Sequence, residues 1–243
     1  MPKTREKILI NCFNRAPLKE KLNSVFPRIT TILFCIIFIC GFCFSTVSAK
    51  DAAQIKEDIL SGIEKKYSGK SFEARFTQIS KLAALDITEK ASGKAFFSHP
   101  GKMRWEYQEP EHHEIITNGT SLWIFRPQEN QVMQGNAASF FKSGAGGAFL
   151  SDISLIRKNY EIRTKEVTED YVEIELTAIV KTPDISLIII RITQKTYEIR
   201  RVVTYNVYDD TTLFEFDNIQ FKNIDPAVFE FKAPQGSSII DLD

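Results

Sequence analysis

The sequence predicts a mainly β protein, built on an antiparallel sheet of about eleven strands with a few helical segments. The first observation is a succession of short runs in which apolar and polar residues alternate, separated by Gly, Pro and Asn turn signals. The second is that the runs 171–180 and 198–207 each have one apolar and one polar face. Such faces are typical of antiparallel strands that are solvated on one side. Because most strands follow one another without intervening helices, the order predicts a meander rather than βαβ units.

The N-terminal 49 residues differ in composition from the rest of the chain. Residues 29–49 carry no charge and follow a basic segment, and their strongly apolar part, 32–44, has the length of the apolar region of a signal peptide. It is short for a membrane span of about 20 residues. Since Val47-Ser48-Ala49 forms a small-residue cleavage site, we predict a signal peptide over 1–49, cleaved after Ala49, and a single domain over 50–243. An uncleaved anchor is the alternative, and both interpretations predict an exported domain.

Charge and cysteine content exclude several classes of function for that domain. The chain of 243 residues has 31 basic and 31 acidic side chains, but residues 50–243 hold 24 basic and 29 acidic ones. A mildly acidic domain is not expected to bind nucleic acid. All four cysteines precede residue 50. The sequence therefore predicts no disulfide framework, thiol nucleophile or cysteine metal site in the domain.

The elements are assigned in chain order from their periodicity. Apolar residues spaced by four predict a helix over 51–67, which Gly69 ends. Residues 137–157 interrupt the alternation and predict two short helices joined by a Gly-rich loop, and 225–229 predicts a short helical turn. The predicted strands are 72–77, 90–98, 102–109, 112–117, 121–126, 131–135, 160–166, 171–180, 185–193, 198–207 and 212–221.

The motifs that suggest chemistry each have a simpler interpretation. Glu111-His112-His113-Glu114 resembles a metal cluster, but on a strand His112 and His113 face opposite ways, and no second cluster has ligand spacing. Gly69-Lys70-Ser71 lacks the earlier glycine of a phosphate-binding loop. The nucleophile-elbow pattern Gly-x-Ser-x-Gly does not occur in the sequence. We therefore expect no enzymatic activity, no metal and no cofactor.

Two groups of apolar residues have two interpretations each. Around the glycine-rich stretch 144–147, large side chains could form the underside of a mobile lid or could fill the core permanently. On the strand 102–109, Met103 and Trp105 share one face, which suits the wall of an apolar pocket or an ordinary core. Periodicity does not separate these interpretations. The candidate pocket and lid residues are Met103, Trp105, Phe140, Phe141, Phe149, Leu150 and Ile153.

The order of several short motifs resembles the periplasmic outer-membrane lipoprotein carrier family (LolA-like), over nearly the whole of the predicted domain. The motifs are Ser-Phe-Glu-Ala-Arg-Phe-Thr-Gln at 71–78, Phe-Ser-His-Pro-Gly-Lys-Met-Arg-Trp at 97–105, Pro110, Asn-Gly-Thr-Ser-Leu-Trp-Ile-Phe at 118–125, Phe-Glu-Phe at 229–231 and Pro-Gln-Gly at 234–236. Each is weak alone, and their order and spacing carry the resemblance.

The resemblance implies an open antiparallel half-barrel covered by a helical lid. It implies a monomeric periplasmic carrier that binds the acyl chains of lipoproteins and does no chemistry. It also implies two partners: an ATP-driven lipoprotein-releasing transporter of the inner membrane and a lipoprotein acceptor at the outer membrane. The alternative function is a lipid- or glycolipid-binding sensor or regulatory module with the same half-barrel fold.

The sequence departs from the family pattern at one position that the family uses to latch the lid. An Arg precedes the Pro in better-known members, and His99 stands there in this chain. A neutral imidazole is a shorter and weaker donor than a guanidinium group. The lid latch is therefore expected to be looser, sensitive to pH, or formed elsewhere, with Arg104 as the second candidate.

Overall fold

The structure, a computed structural model, describes residues 49–143 and 150–242. These residues belong to one compact unit, Val47–Asp243. The predicted signal peptide, the Gly-rich loop and Phe149 lie outside the described residues. Among the helices that the structure describes, none is long and apolar enough to cross a membrane.

The described residues form three α-helices and twelve strands. The helices are α1 (Ala49–Tyr67), α2 (Ala137–Ser143) and α3 (Ser154–Asn159). The strands are β1 (Ser71–Leu82), β2 (Ile87–Ser98), β3 (Lys102–Glu109), β4 (His113–Asn118), β5 (Ser121–Arg126), β6 (Gln131–Asn136), β7 (Tyr160–Val167), β8 (Tyr171–Ala178), β9 (Leu187–Thr193), β10 (Ile199–Tyr205), β11 (Thr211–Phe221) and β12 (Ser238–Asp241). Short 3-10 turns lie at Ala83–Leu85, Pro127–Glu129 and Pro226–Phe229.

All twelve strands form one open sheet in the order β12-β6-β5-β4-β3-β2-β1-β11-β10-β9-β8-β7. Neighbouring strands are antiparallel, except that β12 pairs with β6 in parallel. The predicted fold class, an open antiparallel half-barrel with few helices, is confirmed. The strand that the sequence analysis missed is β12, because its four residues are all exposed and show no alternation of burial.

The core lies between one face of this sheet, here called the inner face, and the helices. Strand alternation places Met103 and Trp105 on this face, together with residues of β1, β2 and β8–β11. Residues Ile59 and Ile63 of α1 pack onto it, as the spacing of four in that helix predicts. At the end of α1 the buried Tyr67 hydroxyl accepts a hydrogen bond of 2.9 Å from the Ile199 amide.

A second, smaller group of buried residues lies on the opposite, outer face of the sheet. It contains Ile116 of β4 and Val132 of β6. The 3-10 turn near the C-terminus adds Phe229, which is fully buried. Phe231 places its ring 5.3 Å from that of Phe125. The C-terminal segment therefore covers the outer face of β3–β6 before it reaches β12.

Candidate functional site

The candidate pocket residues on β3 lie at the centre of the inner face. Met103 and Trp105 are 0% and 1% exposed. The Trp105 ring lies 4.8 Å from that of Phe76 and 5.1 Å from that of Phe214, which come from β1 and β11. Three strands that are far apart in sequence thus bring their aromatic side chains together around Trp105.

The candidate lid residues contact the same cluster from the other side. Leu150 and Ile153 are buried in it, and Phe140 and Phe141 of α2 are half-buried against it. The structure therefore brings the described pocket and lid candidates together. Burial of this kind is expected both for a filled core and for a closed pocket.

The turn between β2 and β3 fastens the segment that follows the Gly-rich loop. The Gly101 amide donates a hydrogen bond of 2.8 Å to the Ser151 carbonyl. Gly101 also lies close to Phe141 of α2 and to Gly119 of the β4–β5 turn. With φ of +77° and +95°, Gly101 and Gly119 adopt a backbone conformation that glycine tolerates and other residues rarely do. Two tight turns can therefore meet directly beside Ser151.

The imidazole of His99 lies in this same contact. Its ring centroid is 6.4 Å from that of Tyr67 and 6.3 Å from that of Phe72. Burial among these groups lowers the pKa of His99 to about 4, against smaller upward effects of the Asp152 charge and of a hydrogen bond with the Leu150 backbone. Within the described residues, Nε2 of His99 has no hydrogen-bond partner. The neutral imidazole is therefore held against residues 150–152.

Arg104, the second latch candidate, lies on the outer face. Its Nη2 is 2.7 Å from Oε2 of Glu114, and its Nη1 donates a hydrogen bond of 3.2 Å to the Val228 carbonyl. These contacts join β3 and β4 to the C-terminal segment. The position of Arg104 favours a role in fastening that segment rather than residues 150–153.

The structure also contains a cavity that the sequence analysis did not predict. It has a volume of about 530 Å³ and lies on the inner face beyond Tyr107, where β1 and β2 extend past the ends of β3 and β4. Its lining includes Gln78, Ser80, Glu89, Tyr107, Glu111 and His113. The sequence signal was the change from Phe72, Ala74 and Phe76 to Gln78 and Ser80 along one face of β1.

His113 of the histidine pair at 112–113 lines this cavity. The His113 ring stacks on Tyr107 with a centroid distance of 4.0 Å. Burial lowers the pKa of His113, which favours its neutral form. Among the residues that the structure describes, no group of His, Cys, Asp and Glu side chains could hold a metal ion.

Fold and site together define a half-barrel protein whose inner face is apolar and covered by helices. The family model described as "Outer membrane lipoprotein carrier protein LolA" matches residues 68–232, and the chain belongs to this family. The family that the sequence motifs resembled is thereby confirmed.

Relatives named outer-membrane lipoprotein carrier protein agree with this assignment. The protein from Nitrosomonas europaea is 28% identical over 70% of this chain and 82% of its own length. The protein from Nitrosospira multiformis is 24% identical over 85% of this chain and 96% of its own. Among solved structures, an uncharacterized conserved protein from Thermus thermophilus matches with a TM-score of 0.53 at 10% identity, covering 76% of this chain and 98% of that one. This last similarity concerns the fold alone.

Proposed function

We propose that the protein carries lipoproteins through the periplasm by burying their acyl chains against the inner face of the sheet. It takes its cargo from an ATP-driven transporter in the inner membrane and passes it to an acceptor at the outer membrane, without catalysing a reaction. The observation that carries this proposal is family membership, together with an apolar cluster that α2 and residues 150–153 cover.

The energetics of burial favour loading. An acyl chain of about 15 methylenes gains roughly 12 kcal/mol on full burial, at about 0.8 kcal/mol per methylene. Moving Leu150 and Ile153 out of the cluster costs about 1.5–3 kcal/mol for each side chain. One chain therefore offsets the displacement of both residues. Closure over an empty site keeps the apolar surface from water between two rounds of transport.

His99 is the proposed latch of this covering segment. Its side chain and the Gly101 amide contact residues 150–152 directly, whereas the contacts of Arg104 lie on the outer face. A neutral imidazole with one hydrogen bond holds the segment less firmly than a guanidinium would. Residues 150–153 can thus leave the cluster when an acyl chain replaces them.

The two tryptophans of the chain provide a matched test of where acyl chains bind. Trp105 lies on the inner face, and Trp123 lies on the outer face near Phe231. In a Trp123→Phe variant, fluorescence of the remaining Trp105 should be quenched by dibrominated stearic acid and not by stearic acid, because bromine quenches only at contact. In a Trp105→Phe variant, Trp123 should not respond.

Transport itself is tested with spheroplasts. The purified protein should release newly acylated lipoproteins from them into the medium in a complex with itself. Absence of quenching at Trp105, or equal quenching of both tryptophans, would contradict acyl-chain binding on the inner face. Quenching at Trp105 without release of lipoproteins would instead favour the lipid-sensing alternative.

A further inference from the structure

The cavity beyond Tyr107 begins where the apolar cluster ends. The Tyr107 ring contacts Phe76 and Trp105 of that cluster, with centroid distances of 4.9 and 6.5 Å. Its hydroxyl points the other way and donates a hydrogen bond of 2.7 Å to Oε1 of Gln78. Tyr107 thus forms the boundary between the apolar inner face and a cavity whose lining contains both polar and apolar side chains.

A chain of hydrogen bonds leaves the Ser80 hydroxyl available as a donor in this cavity. Nε2 of Gln78 donates to Oγ of Ser80 over 2.9 Å. Burial raises the pKa of Tyr107, so its hydroxyl stays protonated and keeps the Gln78 amide in this orientation. Because Oγ of Ser80 accepts from Gln78, the Ser80 hydroxyl proton is left to donate to a ligand in the cavity. Successive bonds of this kind polarise one another.

The size and surroundings of the cavity suit the polar junction of an acylated molecule. The cavity has a volume of about 530 Å³. This is room for the group of atoms in which two ester-linked chains and one amide-linked chain meet. Such a junction offers several carbonyl acceptors, and its chains would extend past Tyr107 onto the apolar face.

We propose that this cavity binds the ester and amide carbonyls that join the acyl chains to the cargo polypeptide, with the Ser80 hydroxyl as the hydrogen-bond donor. This proposal rests on the proposed function, since it places the chains on the inner face. It adds a polar subsite that recognises the groups by which the chains are attached. A bare hydrocarbon chain has no acceptor for the hydrogen-bond donor of this subsite.

The test compares Ser80→Val with Ser80→Thr. The two variants have nearly the same shape, and both suit a strand, but only threonine keeps the hydroxyl. The probes are a synthetic triacylated cysteine lipopeptide and dodecylpyrene, a hydrocarbon chain without a polar head. We expect Ser80→Val to bind the lipopeptide about five- to tenfold more weakly than wild type and Ser80→Thr to bind it like wild type. All three proteins should bind dodecylpyrene equally.

The outcomes separate the two proposals. Equal lipopeptide binding by the valine and threonine variants would overturn the subsite and leave the carrier function intact. If wild type bound neither probe, the carrier function itself would fail. A phosphatidylglycerol with the same acyl chains carries the esters without the amide. If Ser80→Val weakens the binding of both lipids, the Ser80 hydroxyl donates to an ester carbonyl. If Ser80→Val weakens the binding of the lipopeptide alone, the hydroxyl donates to the amide carbonyl.

Discussion

Acid is expected to weaken the contact between His99 and residues 150–152. Burial holds the pKa of His99 at about 4, and an exposed imidazole has a pKa of 6.5. Because the closed state prefers the neutral imidazole, its stability is complete above pH 6.5 and falls as the pH drops toward 4. Two and a half pKa units correspond to about 3 kcal/mol over the whole window, of which about 2 kcal/mol falls between pH 7 and pH 5.

Hydrogen exchange at the Gly101 amide measures this contact directly, because that amide donates to the Ser151 carbonyl. After correction for the intrinsic exchange rate, its protection factor should fall roughly 25-fold from pH 7 to pH 5. His99→Asn is the matched control, since it keeps an amide donor and does not titrate. His113 is present in both proteins, so its own titration cancels in the comparison. The same loss of protection in wild type and His99→Asn would refute the role of the imidazole.

Two further substitutions test the packing around the site. Arg157→Ala removes the ion pairs of 2.6 and 2.5 Å that join α3 to Glu57 and Glu64 of α1. It should lower the free energy of unfolding in urea at low salt and lower it less at high salt, because salt screens exposed charge pairs. Arg163→Ala, at an exposed position of β7, should leave the free energy of unfolding unchanged at both salt concentrations. Gly93→Ala would place a Cβ atom in steric overlap with a backbone carbonyl oxygen of β3, so it should cost about 3 kcal/mol or more in the same assay, and a wild-type urea midpoint would contradict this packing.

The strands were predictable because alternation records which side of the sheet is buried. The run 102–109 coincides with β3, and the helix predicted over 51–67 lies within α1. The sequence analysis ended the first strand at residue 77 and began the second at residue 90, whereas β1 reaches Leu82 and β2 begins at Ile87. There β1 remains paired with both β2 and β11, although β3 no longer accompanies β2. Backbone hydrogen bonds therefore extend the strands where burial no longer alternates.

The same alternation explains the position of Arg104. Since Met103 and Trp105 face inward, the residue between them must face outward, and a lid on the inner face is out of its reach. Alternation does not predict the direction of the His99 side chain, because His99 lies in a turn next to the sheet. Its contact with Leu150 joins segments that are distant in sequence, and no local pattern encodes the pairing. Composition suggested that residues 150–153 could move but could not show what they touch.

His99 and the cavity lined by Ser80 lie at opposite ends of β1. His99 follows Ser98, which pairs with Ser71 at the start of β1, and Ser80 pairs with Glu89 near its end. Nine residues of strand separate Ser71 from Ser80, which is roughly 30 Å at about 3.3 Å per residue. Substitutions at this separation contribute additively unless a shared element couples them. Under the proposed function, variants of His99 are expected to change retention of the cargo and variants of Ser80 its recognition, and any coupling between them would pass through β1 or through the bound acyl chains.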